Sequence, residues 1–248
     1  MHLLLDLGNT NAKLAVLTDS GEKLRLERVP AAALQQVVEH LRKSYSELKR
    51  VAISSVAKPD AALDAYLQGA FELVLWLDHT TPIPVTKHYK TPATLGNDRV
   101  AAVVGAAHQF PKTNVLVIDA GTCITYDLVT ASGDYLGGSI SPGIQMRYKS
   151  LHTFTARLPL LGLQEGVELI GTSTNTAMRS GVQQGILAEV RGIISAYQGQ
   201  FPDLKVVITG GDSEFFVKAL KNSIFADPNL VLNGLNVILN HYVSYLSR

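Results

Sequence analysis

Asp6-Leu7-Gly8-Asn9-Thr10 is the stretch from which the fold class can be inferred, because a similar stretch recurs in the middle of the chain. It follows the apolar run Leu3–Leu5, and Asp119-Ala120-Gly121-Thr122 follows the apolar run Val115–Ile118. Each copy has the pattern of a strand, an acidic residue, a glycine turn, a hydroxyl residue and a second strand. A carboxylate suits a cation and turn N–H groups suit phosphates. The repeat therefore predicts two similar lobes that close on one Mg-nucleotide.

Two common nucleotide-binding signatures are missing from the sequence. The chain contains no Gly-Lys pair, so it has no P-loop motif, and no two of its glycines are separated by a single residue, so it has no dinucleotide fingerprint. The repeated Asp-Gly-Thr turn is therefore the candidate for holding a nucleotide.

Composition limits the function classes that fit the chain. Its 248 residues carry a formal net charge of +1, which gives no electrostatic reason to expect nucleic acid or an anionic membrane surface. Cys123 is the single cysteine, so neither an intrachain disulfide nor a zinc cluster is expected. No apolar run approaches the roughly 20 residues that span a bilayer. We expect a cytoplasmic protein without nucleic-acid or membrane partners.

Hydrophobic patterning predicts an α/β protein in which each half begins with a strand meander. A polar break at 111–114 suggests an N-terminal lobe over residues 1–111 and a C-terminal lobe over residues 112–248. The predicted strands are 1–6, 12–18, 23–29, 50–54, 72–77, 115–119, 123–129, 134–141 and 205–209. The predicted helices are 31–44, 59–67, 98–110, 174–201 (one helix or two) and 231–247, with an extended loop over 80–92.

The first acidic turn offers several phosphate and cation contacts. Asp6 at a strand end suits Mg²⁺ through water, because magnesium sheds its waters reluctantly. Asn9, Thr10 and Lys13 could meet the β- and γ-phosphates, Lys13 as a point charge. A plain polar hairpin turn is the alternative for one copy taken alone; the second copy favours the functional interpretation.

The second acidic turn continues into a strand with further polar residues. Thr125 and Asp127 alternate beyond Thr122, so they share one face of that strand. For Asp127, a site residue and a solvent-facing strand residue are equally good interpretations. Cys123 has no histidine in the pattern to activate it and is more typical of a small core residue than of a nucleophile.

Gly96-Asn97-Asp98-Arg99 stands before an apolar helix. Asp98 and Arg99 could be a capping carboxylate and a surface cation, or a general base and a grip for an acidic substrate. The corner Gly137–Gly143 could be a tight turn or a surface that lets a ligand come close. Gly210-Gly211-Asp212 could surround an adenosine or only turn the chain.

Taken in order, these motifs resemble those of type III pantothenate kinases. The first and third motifs alone resemble the wider superfamily of sugar kinases, Hsp70 and actin; Gly-x-Asp-Arg with the segment 174–181 narrows the match. The matching residues are Asp6-Leu7-Gly8-Asn9-Thr10 with Lys13, Gly96-Asn97-Asp98-Arg99, Asp119-Ala120-Gly121-Thr122, Gly137-Gly138 through Gly143, Gly171-Thr172-Ser173-Thr174 with Ala177-Met178, and Gly210-Gly211-Asp212.

The resemblance implies two actin-like (ribonuclease H-like) lobes with ATP in the cleft between them, phosphorylation of pantothenate to 4′-phosphopantothenate for coenzyme A synthesis, and a homodimer. It implies Asp98 as the catalytic base. It implies ATP contacts from Asp6, Leu7, Gly8, Asn9, Thr10, Asn11, Ala12, Lys13 and Thr122, and pantothenate contacts from Tyr89, Gly96, Asn97, Asp98, Arg99 and Thr174. It implies Asp119 as the ligand of a monovalent cation, K⁺ or NH₄⁺, that acts beside Mg²⁺.

Two positions depart from the family pattern. Asn97 stands where a small residue such as alanine is common, and Arg147 stands where an apolar residue is more usual. Two other functions remain as alternatives: a superfamily kinase acting on another hydroxylated metabolite, and a non-catalytic nucleotide-binding regulator. The chain has no marked excess of basic over acidic residues that would support direct DNA binding by such a regulator. The presence of Asp6, Asp98 and Asp119 favours a catalytically active protein.

Overall fold

The computed structural model describes residues 1–8, 11–56, 60–220 and 224–247. The chain divides into two compact units, Met1–Gln109 with Asn229–Arg248 and Phe110–Pro228. The sequence-based lobes instead divide the chain once, after residue 111. The difference is the C-terminal helix, which packs in the first unit although it follows the second in sequence.

The elements follow one another as a strand meander and then alternating helices and strands, once in each unit. In chain order they are β1 (His2–Leu7), β2 (Asn11–Leu17), β3 (Lys23–Pro30), α1 (Leu34–Ser44), β4 (Arg50–Ser55), α2 (Ala61–Ala70), β5 (Leu73–Trp76), β6 (Thr86–Lys87), α3 (Asn97–Gln109), β7 (Val115–Ala120), β8 (Cys123–Val129), β9 (Asp134–Pro142), α4 (Ile144–Thr153), α5 (Thr174–Arg179), α6 (Gly185–Gln198), β10 (Lys205–Thr209), α7 (Ser213–Leu220), β11 (Phe225–Ala226) and α8 (Leu230–Leu246).

The first unit contains a mixed sheet in the order β3-β2-β1-β4-β5. Strand β1 is antiparallel to β2 and parallel to β4, which is parallel to β5. The continuous apolar run Leu3–Leu5 fits this central position, since a strand covered on both faces needs no alternation. Asp6 therefore lies near the end of the central strand.

Two glycines let α8 pack closely against α3 in the first unit. A Cβ atom on Gly105 would lie 2.6 Å from the carbonyl oxygen of Leu230, and one on Gly234 would overlap the carbonyl oxygen of Ala101. Glycine at both positions therefore brings the two backbones into contact, and this places the C-terminal helix with the first unit.

The second unit repeats the arrangement of the first, with a sheet order β11-β10-β7-β8-β9. Strands β7 and β8 are antiparallel, and β7 is parallel to β10. Position by position, the burial of β7 matches that of β1 and the burial of β8 matches that of β2. The two acidic turns thus occupy equivalent places, as the repeated motif predicts.

The segment after residue 173 is helical but not uniform. Between α5 and α6, Ser180–Gln184 forms a π-helical segment, so the backbone continues through a wider turn. There the buried Gln183 side chain pairs with both the N–H (3.0 Å) and the carbonyl oxygen (2.8 Å) of Gln164. Single π-helical turns inside α-helices are rare and frequently lie at functional sites.

Some predicted features fall elsewhere or lie outside the described residues. The residue proposed to begin the second helix, Pro59, lies outside them, and Asp60 caps that helix by accepting hydrogen bonds from Ala62 and Leu63. The loop predicted over 80–92 includes the short strand β6. Within the described ranges, none of the helices combines the length and apolar character that crossing a bilayer requires.

Candidate active site

The turn between β1 and β2 places Asp6 beside Lys13. The two residues are register partners on the antiparallel strands, and the N–H of Gly8 donates to the carbonyl oxygen of Asn11 at 3.0 Å to close the turn. Leu7 and Ala12 form the next register pair and are buried. Asn9 and Thr10, which the sequence predicts as phosphate contacts, lie outside the described residues.

The surroundings of Asp6 disfavour its charged form. Burial and the negative charge of Asp98 raise the pKa of the Asp6 carboxyl to about 7, although the Lys13 ammonium acts in the opposite direction. The structure therefore brings Asp6, Asp98 and Lys13 together within the first unit. A divalent cation would relieve the repulsion between the two carboxylates.

This donor set fits a magnesium ion held mainly by phosphate and water. Among the described residues, no group of three or more histidine, cysteine, aspartate or glutamate side chains could hold a metal ion by itself. Mg²⁺ in nucleotide sites commonly uses one or two carboxylates and completes its shell with phosphates and water. Asp6 alone satisfies that requirement from the protein side.

Asp98 is held at the start of α3 by its own backbone. Its Oδ1 atom accepts a hydrogen bond from the N–H of Arg99 at 2.8 Å. A Cβ atom on Gly96 would lie 2.5 Å from the same oxygen, so the absence of a side chain at Gly96 leaves room for the carboxylate. Asn97 begins the helix beside them.

Arg99 and Tyr89 form one contact surface. The Arg99 side chain is only 6% exposed, and its guanidinium carbon lies 5.8 Å from the centroid of the half-buried Tyr89 ring. This is the separation of a cation–π contact. The surface-cation alternative for Arg99 is therefore wrong, and a buried cation next to Asp98 suits recognition of an acidic molecule.

The second acidic turn has its own supporting contacts. Asp119 is the register partner of Thr125, as Asp6 is of Lys13, and the N–H of Gly121 donates to the carbonyl oxygen of Cys123 at 2.9 Å. Thr122 is exposed at the tip of the turn. The hydroxyl oxygen of Thr125 is buried and has no hydrogen-bond partner among the described residues.

Glycine motifs distant in sequence meet this second turn. Gly210 has a φ of +94°, and a Cβ atom there would overlap the carbonyl oxygen of Ala120 and the Asp119 carboxylate. On the other side, a Cβ atom on Gly143 would overlap the carbonyl oxygens of Gly121 and Thr122. The backbone therefore packs tightly around Asp119 from both sides.

Asp127 does not face solvent. It is 1% exposed, and its Oδ1 atom accepts a hydrogen bond from the hydroxyl of Tyr135 at 2.6 Å. The solvent-facing alternative is wrong because Tyr135 on β9 covers this face of β8. Cys123 is partly buried at the start of β8.

Thr174 begins α5 and is exposed. Ser173 caps the helix, because its hydroxyl oxygen accepts a hydrogen bond from the N–H of Thr176 at 3.3 Å. The Thr176 side chain in turn accepts one from the Ser173 N–H, which completes a capping box. A Cβ atom on Gly171 would overlap the backbone of Ala177, so the approach to the helix needs glycine there. The local sequence thus fixes the position of Thr174.

A cavity of about 710 Å³ in the second unit adjoins Gly211 and Asp212. The side chains of Gln184, Leu187 and Phe215 also line it, and burial raises the pKa of the Asp212 carboxyl. The volume is in the range of small-molecule sites. The contributions of α6 and α7 could not be predicted from the sequence, because nothing in an ordinary amphipathic helix marks the residues that line a cavity.

Comparisons of the sequence with known proteins agree on one family. The sequence profile of the type III pantothenate kinase family matches residues 2–196. The type III pantothenate kinase of Christiangramia forsetii is 44% identical over 239 residues, covering 96% of this chain and 98% of that relative. That of Phocaeicola vulgatus is 46% identical over 241 residues, covering 97% and 98%.

Solved structures extend the comparison to the fold. A conserved putative Baf family transcriptional activator from Campylobacter jejuni aligns with a TM-score of 0.64 at 22% identity, covering 98% of this chain and 99% of that one. A glucokinase from an Antarctic psychrotroph aligns with a TM-score of 0.54 at 12% identity, covering 97% and 98%. These likenesses confirm the predicted actin-like fold. The family profile and the full-length relatives show that the chain belongs to the type III pantothenate kinase family.

Proposed function

We propose that this protein transfers the γ-phosphoryl group of ATP to the primary hydroxyl of pantothenate, forming 4′-phosphopantothenate for coenzyme A synthesis. The observation that carries the proposal is the position of Asp98, which is next to the buried Arg99 and close enough to raise the pKa of Asp6, the register partner of Lys13. The groups proposed as proton acceptor, cation ligand and anion-binding residue thus belong to one unit. Phosphoryl transfer needs this kind of positioning and charge neutralisation.

Asp98 orients the pantothenate hydroxyl and accepts its proton late in the transfer. A carboxylate is a weak base for an alcohol, and a loose transition state requires little proton abstraction before the phosphoryl group moves. Arg99 pairs with the pantothenate carboxylate, and Tyr89 packs beside Arg99. The remaining pantothenate contacts are Gly96, Asn97 and Thr174.

Asp6 and Lys13 act on the phosphates of ATP. Mg²⁺, when bound, neutralises charge on the transferring phosphoryl group. The residues proposed to contact ATP are Asp6, Leu7, Gly8, Asn9, Thr10, Asn11, Ala12, Lys13 and Thr122. The cavity beside Gly211 and Asp212 supports the interpretation of that motif as an adenosine site.

Asp119 binds the monovalent cation, K⁺ or NH₄⁺. The buried Thr125 hydroxyl, its register partner, supports this role because an oxygen without a hydrogen-bond partner is available as a ligand. Turn carbonyls of Gly121 and Thr122 lie close to Gly143 and provide further oxygens in the same region. Neutral hydroxyl and carbonyl oxygens of this kind suit a large monovalent ion.

The protein acts as a homodimer in the cytoplasm, without nucleic-acid or membrane partners. In support, the segment between α4 and α5 carries exposed apolar side chains: Phe154 is 85% exposed, Leu169 73% and Ile170 79%. Covering them with a second copy would remove a large apolar area from water. Light scattering of the purified protein tests this, with a dimer expected and a monomer contradicting it.

Pantothenate-dependent release of ADP tests the reaction. The purified protein is assayed in K⁺ and Mg²⁺ with ATP, with and without pantothenate, beside the variant Asp98→Asn. We expect ADP release only when both pantothenate and Asp98 are present. ATP binding without stimulation by pantothenate would instead indicate another acceptor or the regulatory alternative.

A further inference from the structure

Arg147 joins α4 to the corner that precedes this helix. Its Nε atom donates to the carbonyl oxygen of Pro142 at 2.9 Å, and an Nη2 hydrogen bond reaches the Ser141 hydroxyl at 2.8 Å. The same Nη2 atom lies 2.5 Å from Oε2 of Glu189 on α6. The guanidinium therefore connects the end of β9 with two helices.

Glu189 extends these contacts into the core of the second unit. Its Oε1 atom accepts a hydrogen bond from the hydroxyl of Tyr126, a fully buried residue of β8, at 3.1 Å. Burial opposes ionisation of Glu189, but hydrogen bonds from Arg147, Ser141 and Tyr126 outweigh it and hold the pKa of this carboxyl below its ordinary value. Glu189 is therefore charged at neutral pH and fixes Arg147 in place.

The corner held by Arg147 touches the second acidic turn directly. The N–H of Gly143 donates to the carbonyl oxygen of Thr122 at 3.0 Å, and Pro142 is the register partner of Cys123. Because Gly143 has no side chain, its backbone lies against the carbonyl oxygens of Gly121 and Thr122. A shift of the corner would consequently shift the turn.

We propose that Arg147 and Glu189 form a positioning pair that holds the corner Ser141–Gly143 against the Gly121–Thr122 turn and so sets the affinity for ATP. This rests on the proposed contact of Thr122 with ATP. Arginine is required because its planar group donates in several directions at once, whereas a lysine ammonium on a flexible stem cannot hold Pro142, Ser141 and Glu189 in the same geometry.

The test compares Arg147→Met, Arg147→Lys and Glu189→Gln with the parent protein in steady-state kinetics. We expect the KM for ATP to rise about tenfold in Arg147→Met, the size of losing a charge-assisted hydrogen bond, while the KM for pantothenate stays within about twofold. Arg147→Lys keeps the charge and should fold even if Arg147→Met does not, yet its KM for ATP should also rise.

The matched control is Arg25→Met in the first unit. Arg25 forms an ion pair with Glu27, whose side chain is 27% exposed, as is that of Glu189. This control also loses an arginine–glutamate ion pair, on a strand where no ligand contact is proposed, and both of its KM values should match those of the parent. Parallel increases of both KM values in the Arg147 variants would show general damage and overturn the proposal.

Amide hydrogen exchange separates this inference from the proposed role of Thr122. The Gly143 N–H should exchange faster in both Arg147 variants than in the parent protein. In Arg25→Met its exchange rate should equal that of the parent. Exchange at Gly143 equal to that of the parent would overturn the positioning role, whatever the kinetics. An unchanged KM for ATP in Thr122→Ala would instead reject the ATP contact of Thr122, on which the expected kinetic effect depends.

Discussion

Gly96→Ala is the substitution that tests the placement of Asp98 with the least disturbance elsewhere. Gly96 does not have a positive φ, so the backbone accepts alanine. The new Cβ atom would lie 2.5 Å from Oδ1 of Asp98, whereas ordinary contact begins at 3.4 Å. The carboxylate oxygen must therefore move by about 0.9 Å, which also disturbs its hydrogen bond from the N–H of Arg99.

A displacement of this size at a catalytic group has a large kinetic effect. Misplacement by about 1 Å can lower the rate about 100-fold, so we expect kcat to fall by one to two orders of magnitude. The thermal midpoint of unfolding should change little, because the obstructing atom is the end of a side chain and not backbone. The KM for ATP should also stay near the value of the parent protein.

The assay is steady-state ADP release with both substrates varied, combined with thermal unfolding of each protein. Gly69→Ala is the matched control, because a Cβ atom on Gly69 meets nothing within 4 Å and the residue lies in the same unit near the end of α2. Its kcat should equal that of the parent. An unchanged kcat in Gly96→Ala would refute the claim that the position of the Asp98 carboxylate limits the reaction.

Three further outcomes follow from the site. Asp98→Asn should keep the fold and ATP binding while lowering kcat by about two orders of magnitude or more, the scale of losing a general base; near-normal turnover would remove Asp98 from the mechanism. Replacing K⁺ by Na⁺ should lower turnover if Asp119 binds the monovalent cation, and equal rates in the two buffers would contradict that role. Asp6→Asn should stabilise the metal-free protein at pH 8 but not at pH 3. Because the pKa of Asp6 is raised, the carboxyl is protonated in the folded protein at low pH, and it becomes charged and destabilising as the pH rises through about 7. Chemical denaturation at both pH values measures this difference, and equal stabilities of variant and parent at pH 8 would show that Asp6 is not strained.

The strand meanders and their acidic turns could be predicted from the sequence because the information is local. Apolar runs that end in an aspartate and a glycine specify a buried strand and a turn within a few residues. The predicted bounds of β8 therefore match the observed ones, and those of β1, β2 and β7 differ by no more than one residue at either end. The equal burial of the two hairpins follows from the same local pattern.

Features that depend on contacts between distant segments could not be predicted in this way. The packing of α8 in the first unit depends on Gly105 and Gly234, whose meeting no local pattern reveals. The burial of Asp127 likewise depends on a hydroxyl that Tyr135 supplies from the next strand. The cavity beside Asp212 needs side chains from two helices and a loop.

The most direct test of the whole account is to follow the labelled γ-phosphoryl group of ATP in the presence of pantothenate, Mg²⁺ and K⁺. We predict that the label appears on the primary hydroxyl of pantothenate as 4′-phosphopantothenate, and that Asp98→Asn abolishes most of this transfer. Label found only in inorganic phosphate, or none transferred at all by a protein that still binds ATP, would contradict the account.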